Sequence, residues 1–258
     1  MIEFVNDYTY FYETHLHTME SSKCAVTDAI SSCRAHKEAG YSGMFLTNHN
    51  WGGNTSVDRS LKWCDFIDEF FKPFYLAREW GEKNDFQVFE GYEAGYDGTE
   101  FLIYGISVDW MRAHPELKDA TVEEQFDIIH EGGGIVVHAH PFREAFYIPK
   151  TRLYPDFVDG VEGINAAHSS PYQTNERHPI WDEKAIAYAG EHKLPLTAGS
   201  DVHSTNVLYG GMAFRTKLSG AGDFTKRVCT AYNELEKGNI PYLITNGGDW
   251  FDCIGRRI

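Results

Sequence analysis

Two histidines separated by one residue, His15 and His17, follow the aromatic and β-branched run Tyr8-Thr9-Tyr10-Phe11-Tyr12. Such a run predicts a β-strand, in which residues two apart point to the same face. The two imidazoles then lie side by side, and imidazole nitrogens held on a rigid backbone are common ligands of transition metals. An isolated His-x-His also fits two polar residues on a half-buried strand, so the pair needs support from elsewhere in the chain.

That support comes from the ends of other strand-like runs. Histidine and aspartate side chains recur there, in Val137-His138-Ala139-His140, Ser200-Asp201-Val202-His203 and Thr47-Asn48-His49. Repetition of one pattern at several strand ends favours a shared metal centre over separate structural roles.

Strand-like and helix-like segments alternate along the chain. Helices are predicted at 27–37, 57–80, 121–131, 182–192 and 224–237, and strands at 8–12, 43–47, 86–93, 101–106, 135–138, 158–165 and 195–200. Pro73 is expected to break or kink the second helix, whereas Thr121 and Glu124 have capping-box spacing at the start of the third. Alternation implies a parallel sheet, and about seven strands in one domain favour a closed, TIM-like barrel over an open sheet.

In such a barrel the polar residues at the C-terminal ends of the strands converge on one mouth. Seven side chains of ligand type are expected there: His15, His17, His49, Glu93, His140, Asp201 and His203. Five histidines with two carboxylates suit zinc, manganese or iron, while an all-oxygen cage would suit calcium or magnesium. Because seven ligands exceed what one four-coordinate ion uses, the sequence predicts two or three divalent ions, with Glu93 bridging two of them.

Composition narrows the class of protein. The 258 residues are compatible with one domain spanning 1–258, and no linker-like stretch divides them. The formal net charge of -15 argues against a nucleic-acid partner or an anionic membrane surface. Five cysteines without a C-x-x-C spacing suggest reduced, mostly buried thiols, and no signal-like or membrane-spanning run is present, so a cytoplasmic protein is expected. The sequence makes no prediction of oligomeric state.

Taken in order along the chain, the motifs resemble those of the polymerase and histidinol phosphatase (PHP) superfamily. The matching segments are His15-x-His17, Thr47-Asn48-His49-Asn50, Gly91-x-Glu93, Ala139-His140-Pro141, Glu162-Gly163-Ile164-Asn165 and Gly199-Ser200-Asp201-x-His203. The resemblance implies a distorted seven-stranded (β/α) barrel whose two- or three-metal centre hydrolyses phosphoesters.

The chain departs from the family pattern at two positions. Asn48 stands where the family commonly has aspartate, and the acidic residue expected after the first motif is available only as Glu20. Glu20 is therefore a candidate ligand, although a carboxylate at a helix N-terminus, stabilised by the helix dipole, is an equally good interpretation. Glu100, where some relatives carry a histidine, is a further candidate ligand.

Other residues near the motifs have predicted roles in binding or in the core. Arg143 follows His140-Pro141-Phe142 and can grip a phosphate with its planar guanidinium. His168 and Asn165 follow a strand end and are candidates to face substrate or a metal. His138 fits either a residue behind the ligands or a satisfied core histidine.

The remaining candidates are assigned to the core or to the surface. Cys24 lies close to the first motif, but a small buried hydrophobe is the better interpretation. The other five histidines are expected at the surface because they lie on helices or loops: His36, His114, His130, His178 and His192.

The leading functional hypothesis is a phosphoric monoester hydrolase, histidinol-phosphatase-like by resemblance, acting on a small-molecule phosphate ester. A hydroxide held between two metals would attack phosphorus in line, with Glu93 and Asp201 as ligands and Arg143 on the phosphate. The proton for the leaving alkoxide is left open between His168, another histidine and water.

Two other classes compete with this hypothesis. An amidohydrolase-type enzyme also uses a His-x-His on its first barrel strand and would cut C–N bonds, but the paired Asp201-x-His203 and the Gly91-x-Glu93 motif argue against it. A binding module with a degenerate site is disfavoured because the ligand set is retained. Histidinol phosphate, nucleoside monophosphates, phosphotyrosine and sugar phosphates all remain open as substrates.

Overall fold

In the computed structural model, which describes residue 5, residues 7–206 and residues 208–258, ten strands form one curled, mixed sheet. The strands are β1 Tyr10–Glu13, β2 Gly43–Leu46, β3 Gln87–Tyr96, β4 Thr99–Tyr104, β5 Ile135–Ala139, β6 Gly160–Asn165, β7 Leu196–Gly199, β8 Gly211–Phe214, β9 Leu243–Thr245 and β10 Trp250–Asp252. Their order across the sheet is β10-β9-β8-β1-β2-β3-β4-β5-β6-β7.

Eight α-helices lie between these strands in the described part of the chain. They are α1 Ala29–Ala39, α2 Trp63–Lys83, α3 Val108–Ala113, α4 Val122–Glu131, α5 Ala166–Ser169, α6 Pro179–His192, α7 Ala221–Cys229 and α8 Ala231–Glu236, with a short 3₁₀ turn at Pro115–Lys118. The mixed α/β architecture with a curled sheet agrees with the predicted TIM-like fold. The predicted count of seven strands is wrong, because the sheet has ten.

The sheet is not parallel throughout. β4 pairs antiparallel with both β3 and β5, because Asp97 and Gly98 join β3 to β4 in a two-residue turn that leaves no room for a crossover helix. Both turn residues have positive φ, 46° and 82°, as such tight hairpin turns require. The short strands β8, β9 and β10, which the sequence did not predict, are also antiparallel to their neighbours.

Backbone contacts bring the end of β7 against the end of β1. Leu16 forms a parallel bridge with Val202, the N–H of His17 donates to the Val202 carbonyl at 2.8 Å, and the N–H of Val202 donates to the His15 carbonyl at 3.1 Å. The residues that follow β1, the first strand, therefore lie beside the residues that follow β7, the seventh strand. These are the residues of the first and last sequence motifs.

Local signals place most helix ends. Gly40, with φ 99°, ends α1 as predicted, and Thr121 and Glu124 form the predicted capping box at the start of α4. α2 continues through Pro73 but begins later than predicted, because Asp58 accepts a hydrogen bond from Ser60 N and holds the preceding residues in a turn.

The C-terminal helical segment was predicted as one helix at 224–237 and is two. α7 ends at Cys229 and α8 begins at Ala231, so Thr230 separates them. The Thr230 hydroxyl donates to the Lys226 carbonyl at 2.8 Å, a local side-chain hydrogen bond of the kind that bends or interrupts helices. Gly238, with φ 81°, follows the segment.

A cluster of buried aromatic side chains packs between the strands and α7, away from the polar strand ends. The ring of Phe45 on β2 lies 4.9 Å from Phe89, 5.2 Å from Tyr104 and 4.6 Å from Phe224. The Tyr104 hydroxyl donates to the carbonyl of Thr14 at 2.7 Å, which ties this cluster to the backbone beside the first histidine. Among the described residues, no helix has the length and apolar character needed to cross a membrane.

Candidate metal centre

Ligand-type atoms from distant segments meet just beyond the ends of β1 and β7 and at Glu93 within β3. Nε2 of His15 and Nε2 of His17 lie 3.1 Å apart, and both rings are fully buried. Oε1 of Glu93 lies 3.3 Å from Nε2 of His15, and Oδ1 of Asp201 lies 3.2 Å from Nε2 of His17. Two imidazoles and two carboxylates thus converge on one point.

Glu93 has the central position in this cluster. Its Oε1 contacts Nε2 of His140 at 3.1 Å in addition to His15, while its Oε2 lies 2.7 Å from Nδ1 of His49. Glu100, on the adjacent strand β4, lies 3.8 Å from His49 through Oε1. Because the two oxygens of Glu93 face different histidines, the carboxylate can bridge two ions, as the sequence had suggested.

A third group of ring nitrogens comes from His17, His49 and His203, which each offer one within 4.8 Å of the others. Nδ1 of His203 lies 2.8 Å from the carbonyl of Asp201 and donates to it, which leaves Nε2 with its lone pair directed at Cys24. The distance from that nitrogen to the Cys24 sulfur is 3.1 Å.

The prediction that Cys24 is a buried hydrophobe is therefore wrong. Its thiol is exposed and lines the cavity of the site. Burial of part of the side chain raises the pKa of Cys24, but hydrogen bonds that His203 and His49 donate when their rings are protonated outweigh this and lower the pKa to about 6. Cys64 and Cys229 are exposed as well, so the thiols are not mostly buried.

Backbone geometry aims several of these side chains. His49 pairs with Glu93 in an isolated parallel bridge, so β2 and β3 hold the two side chains next to each other. His140 and Asp201 have positive φ values of 26° and 51°, which residues with a Cβ rarely adopt. Backbone strain of this kind persists where the surrounding structure imposes it and clusters at functional sites.

Behind the cluster lies Glu162, whose role the sequence did not identify. Its Oε1 accepts a hydrogen bond from Nδ1 of His15 at 2.8 Å, and its Oε2 accepts from the backbone N–H of His140 at 3.0 Å. The interaction fixes the proton of His15 on Nδ1 and leaves Nε2 free to bind a metal. Glu162 belongs to the fifth motif, which was the one available signal.

A β-bulge in β6 makes this arrangement possible. The register with β7 shifts between Glu162 and Ile164, so Glu162 and Asn165, which would face opposite sides of a regular strand, reach the same side. Nδ2 of Asn165 donates to Glu162 at 3.3 Å and approaches Asp201 at 3.4 Å. Asn165 thus positions two carboxylates.

Glu13 is a second buried carboxylate that the sequence reasoning missed. Its Oε1 accepts hydrogen bonds from the backbone N–H groups of His15 and Ser200, both at 2.9 Å, and so links the ends of β1 and β7. Burial raises the pKa of Glu13 to about 7. Its position two residues before His15, on the same strand face, was the signal that could have indicated it.

Asn48, which replaces the family's usual aspartate, is a positioning residue. Its Oδ1 accepts hydrogen bonds from the N–H of Thr18 at 2.7 Å and from the hydroxyl of Ser22 at 2.9 Å. The Ser22 oxygen lies 3.3 Å from Nδ1 of His17 and accepts from it, so that Nε2 of His17 faces the cluster with its lone pair. Asn48 thereby holds the turn that orients His17.

Arg143 lines the same cavity, which has a volume of 540 Å³. Its Nη2 donates to Oε2 of Glu100 at 2.6 Å and its Nη1 to Oδ2 of Asp201 at 3.1 Å. Burial lowers the pKa of Arg143, but the carboxylates of Glu100 and Asp201 outweigh this and raise it. The guanidinium therefore remains charged at the wall of the cavity.

Two predicted site residues lie elsewhere. Glu20 is exposed and accepts a hydrogen bond from the N–H of Ala29 at 3.0 Å, so it stabilises the first turn of α1 and does not reach the histidines. The ring of His168 packs against Trp181 and lies 6.1 Å from the ring of His140, and His168 does not line the cavity.

The structure also shows that His138 and His36 are buried. His138 is a core residue, because its ring is buried and stacks on Phe101 at 4.9 Å. His36, expected at the surface, is fully buried, with Nδ1 donating to the Ser32 carbonyl at 2.8 Å.

The electrostatics of the cluster require positive charge. Burial alone would raise the pKa of Glu93, yet the neighbouring His15 and His49 lower it well below its usual value. Burial lowers the pKa of His15, but the carboxylates of Glu162, Asp201 and Glu93 raise it well above the usual value. The buried carboxylates are thus stable as anions only beside cations, which divalent metals can supply.

The donor atoms also fit metal ions in their spacing. A cation about 2.1 Å from each of two imidazole nitrogens holds them roughly 3.0 to 3.4 Å apart, and the His15 and His17 nitrogens are 3.1 Å apart. Nδ1 of His49 and Oε2 of Glu93 are buried and lack hydrogen-bond partners although they lie 2.7 Å apart. Two lone-pair atoms that face each other in this way are compatible with binding one ion together.

No protein-family model and no curated protein matches this chain. Solved structures do match it. A two-domain protein from Bacteroides vulgatus that contains a predicted PHP-like metal-dependent phosphoesterase superposes with a TM-score of 0.63 at 16% identity, covering 95% of this chain and 67% of that chain. This chain has the PHP-like fold.

An amidohydrolase from Chromobacterium violaceum, solved with bound sulfate and no metal, superposes with a TM-score of 0.53 at 15% identity. The match covers 77% of this chain and 90% of that chain. At these identities the similarities concern the fold, and they agree with the resemblance to the PHP superfamily found in the motifs.

Proposed function

We propose that the protein is a metal-dependent phosphoesterase that hydrolyses a small-molecule phosphomonoester. The observation that carries the proposal is the clustering of five histidines with three carboxylates at the base of a cavity that Arg143 also lines. The ligand atoms belong to His15, His17, His49, His140, His203, Glu93, Glu100 and Asp201. This set differs from the sequence-based one in that it omits Glu20 and includes Glu100.

Divalent ions bound to these ligands would lower the pKa of bound water and offset the negative charge of a phosphate ester. The chain's own residues keep the site ready for them. Glu162 holds the proton of His15 on Nδ1, and Ser22 accepts the proton of His17 on its Nδ1, so both Nε2 atoms present lone pairs. Glu93 and Asp201 supply carboxylate oxygens between the histidines.

Arg143 contributes binding of the phosphate and positioning of the ligands. Its two salt bridges hold Glu100 and Asp201 at the cavity wall, and its planar fork can also donate to non-bridging phosphate oxygens. The phosphate would then share the guanidinium with the two carboxylates.

Water is the best candidate for the proton donor to the leaving alkoxide. His168 does not line the cavity, and the histidines that do line it, His49 and His203, belong to the ligand groups. A ring nitrogen that binds an ion carries no proton, and Nδ1 of His203 already donates its proton to the Asp201 carbonyl. The cavity volume of 540 Å³ lies within the range of small-molecule sites and leaves room for solvent beside the substrate.

A first experiment tests the metal centre. Elemental analysis of protein purified without chelators is expected to find two or three transition-metal ions per chain, because the ligand set is too large for one four-coordinate ion. A content below one ion per chain would contradict the proposal.

A second experiment tests the reaction. The metal-replete protein is expected to hydrolyse aryl phosphomonoesters with competitive inhibition by inorganic phosphate. Arg143→Ala should raise KM roughly ten- to a hundredfold, because one charge-assisted contact contributes about 1.5–3 kcal/mol. Arg78→Ala is the matched control, since Arg78 lies on α2 and stacks on Phe74.

Metal content must be measured for each variant, because Arg143 also holds two carboxylates of the cluster. An unchanged KM for Arg143→Ala at full metal content would remove Arg143 from the substrate site. If the metal-replete enzyme ignores every phosphoester but opens a cyclic amide, the amidohydrolase alternative replaces the proposal.

A further inference from the structure

The turn between β1 and α1 carries the thiol of Cys24 to the rim of the metal centre. Its sulfur lies 3.1 Å from Nε2 of His203. Backbone hydrogen bonds on both sides fix this turn: Lys23 N donates to the loop before α2 at 3.0 Å, and Val26 N donates to the carbonyl of His203 at 2.9 Å. The backbone therefore sets the thiol beside His203, and a change of side-chain rotamer is not needed to bring it there.

The nitrogen that faces the thiol is a lone-pair atom. Because Nδ1 of His203 donates to the Asp201 carbonyl at 2.8 Å, the neutral ring has no proton on Nε2. His203 also belongs to the group in which His17, His49 and His203 each place one ring nitrogen within 4.8 Å of the others. A sulfur ligand and a nitrogen ligand thus point toward the same place.

We infer that Cys24 is a thiolate ligand of the metal ion that His203 binds. With a metal–sulfur distance of about 2.3 Å and a metal–nitrogen distance of about 2.1 Å, two ligands of one ion lie roughly 3.1 to 3.6 Å apart. The observed separation between sulfur and Nε2 is 3.1 Å. The inference rests on the metal centre of the proposed function and adds one ligand to it.

The thiolate also fills the place that the sequence had assigned to an acidic residue. Glu20 is engaged at the N-terminus of α1, and Cys24, four residues further along the same turn, contacts His203. Soft thiolate ligands favour zinc, iron or cobalt over manganese and magnesium. This ion site should therefore select zinc-like metals.

Cobalt substitution provides a readout that does not depend on activity. Metal-free wild-type protein titrated with Co²⁺ is expected to develop a near-ultraviolet thiolate-to-cobalt charge-transfer band. Cys64→Ser, in which an exposed thiol on α2 is removed, should retain the band. Cys24→Ser should lack it and bind one cobalt ion at least roughly tenfold more weakly.

Thiol modification gives an independent test. In a Cys64→Ser/Cys229→Ser double variant, Cys24 is the one exposed cysteine among the described residues. Cobalt binding should slow its reaction with a disulfide reagent at least roughly tenfold, because a metal-bound thiolate is withdrawn from attack.

The outcomes separate this inference from the proposed function. A full charge-transfer band in Cys24→Ser, or equal thiol reactivity with and without cobalt, overturns the assignment of Cys24. A wild-type protein that takes up no cobalt refutes the metal centre and the inference together. A charge-transfer band in a protein that hydrolyses no phosphoester supports the inference and refutes the proposed reaction.

Discussion

Substitution of Glu162 by glutamine should weaken metal binding without a change in side-chain size. The carboxylate accepts hydrogen bonds from Nδ1 of His15 at 2.8 Å on one oxygen and from the N–H of His140 at 3.0 Å on the other. Glutamine has one oxygen and one NH₂ group, so it can satisfy only one of these donors. If the NH₂ faces His15, the imidazole proton must move to Nε2, which then cannot bind a metal.

The magnitude follows from the number of hydrogen bonds lost. One hydrogen bond to a charged acceptor contributes about 1.5–3 kcal/mol. Glu162 is fully buried, so solvent does not screen this contribution. The expected loss of metal affinity for Glu162→Gln is therefore roughly ten- to a hundredfold.

Competition of the metal-free protein with a chromophoric chelator measures this affinity, after circular dichroism has verified the fold. Asp252→Asn is the matched control, because Asp252 is also a buried carboxylate that accepts backbone N–H groups, from Ile254 and Arg256, but lies on β10 away from the histidines. It should lower stability and leave metal affinity unchanged. Affinity of Glu162→Gln within about twofold of the wild type would refute the role assigned to Glu162.

Three further predictions concern other parts of the chain. Gly199→Ala would place a Cβ 2.5 Å from Cβ of His15, so His15 must move, and chelator competition should show metal affinity at least roughly tenfold lower. The control is Gly190→Ala on α6, where the new Cβ would meet nothing within 4 Å, and it should leave metal affinity unchanged. Wild-type metal affinity in Gly199→Ala would contradict the argument. Asp201→Ala and His17→Ala should lose most phosphoesterase activity and metal while circular dichroism stays native, and wild-type turnover by either would remove that residue from the site. Burial lowers the pKa of His36 to about 4, so the unfolded chain, with a pKa near 6.5, binds the proton first as the pH falls. The free energy of unfolding should fall by about 2 kcal/mol between about pH 7.5 and pH 5 from this residue alone. In urea unfolding, the free energy of unfolding of His36→Gln should fall less than that of the wild type over this pH range, by the same amount. If both proteins show the same dependence on pH, the lowered pKa assigned to His36 is wrong.

Much of the fold was predictable because its signals are local. The strand before His15, the capping box of Thr121 and Glu124 and the glycine after α1 depend on neighbouring residues only, and each is present in the structure. β4 was predicted as a strand, but its antiparallel direction was not. That direction depends on a two-residue turn at Asp97 and Gly98, whereas the predicted strands at 86–93 and 101–106 stopped short of this turn on both sides.

The side chains that support the candidate ligands were harder to predict. Glu162 contacts His15 across 147 positions of the chain, and Glu13 contacts Ser200 across 187. Neither contact leaves a periodic or compositional trace in the sequence. His36 lies on a helix with an ordinary polar neighbourhood, and only the packing of α1 reveals that its ring is buried.

The sequence by itself predicted which types of side chain meet at the candidate site, because the types of side chain and their positions at strand ends are local properties. It thus identified His15, His17, Glu93 and Asp201 as members of one group. Only the tertiary structure decided which residues of the connecting turns join them. A turn has no periodicity to aim its side chains, so the choice between Glu20 and Cys24 depended on backbone contacts with distant segments.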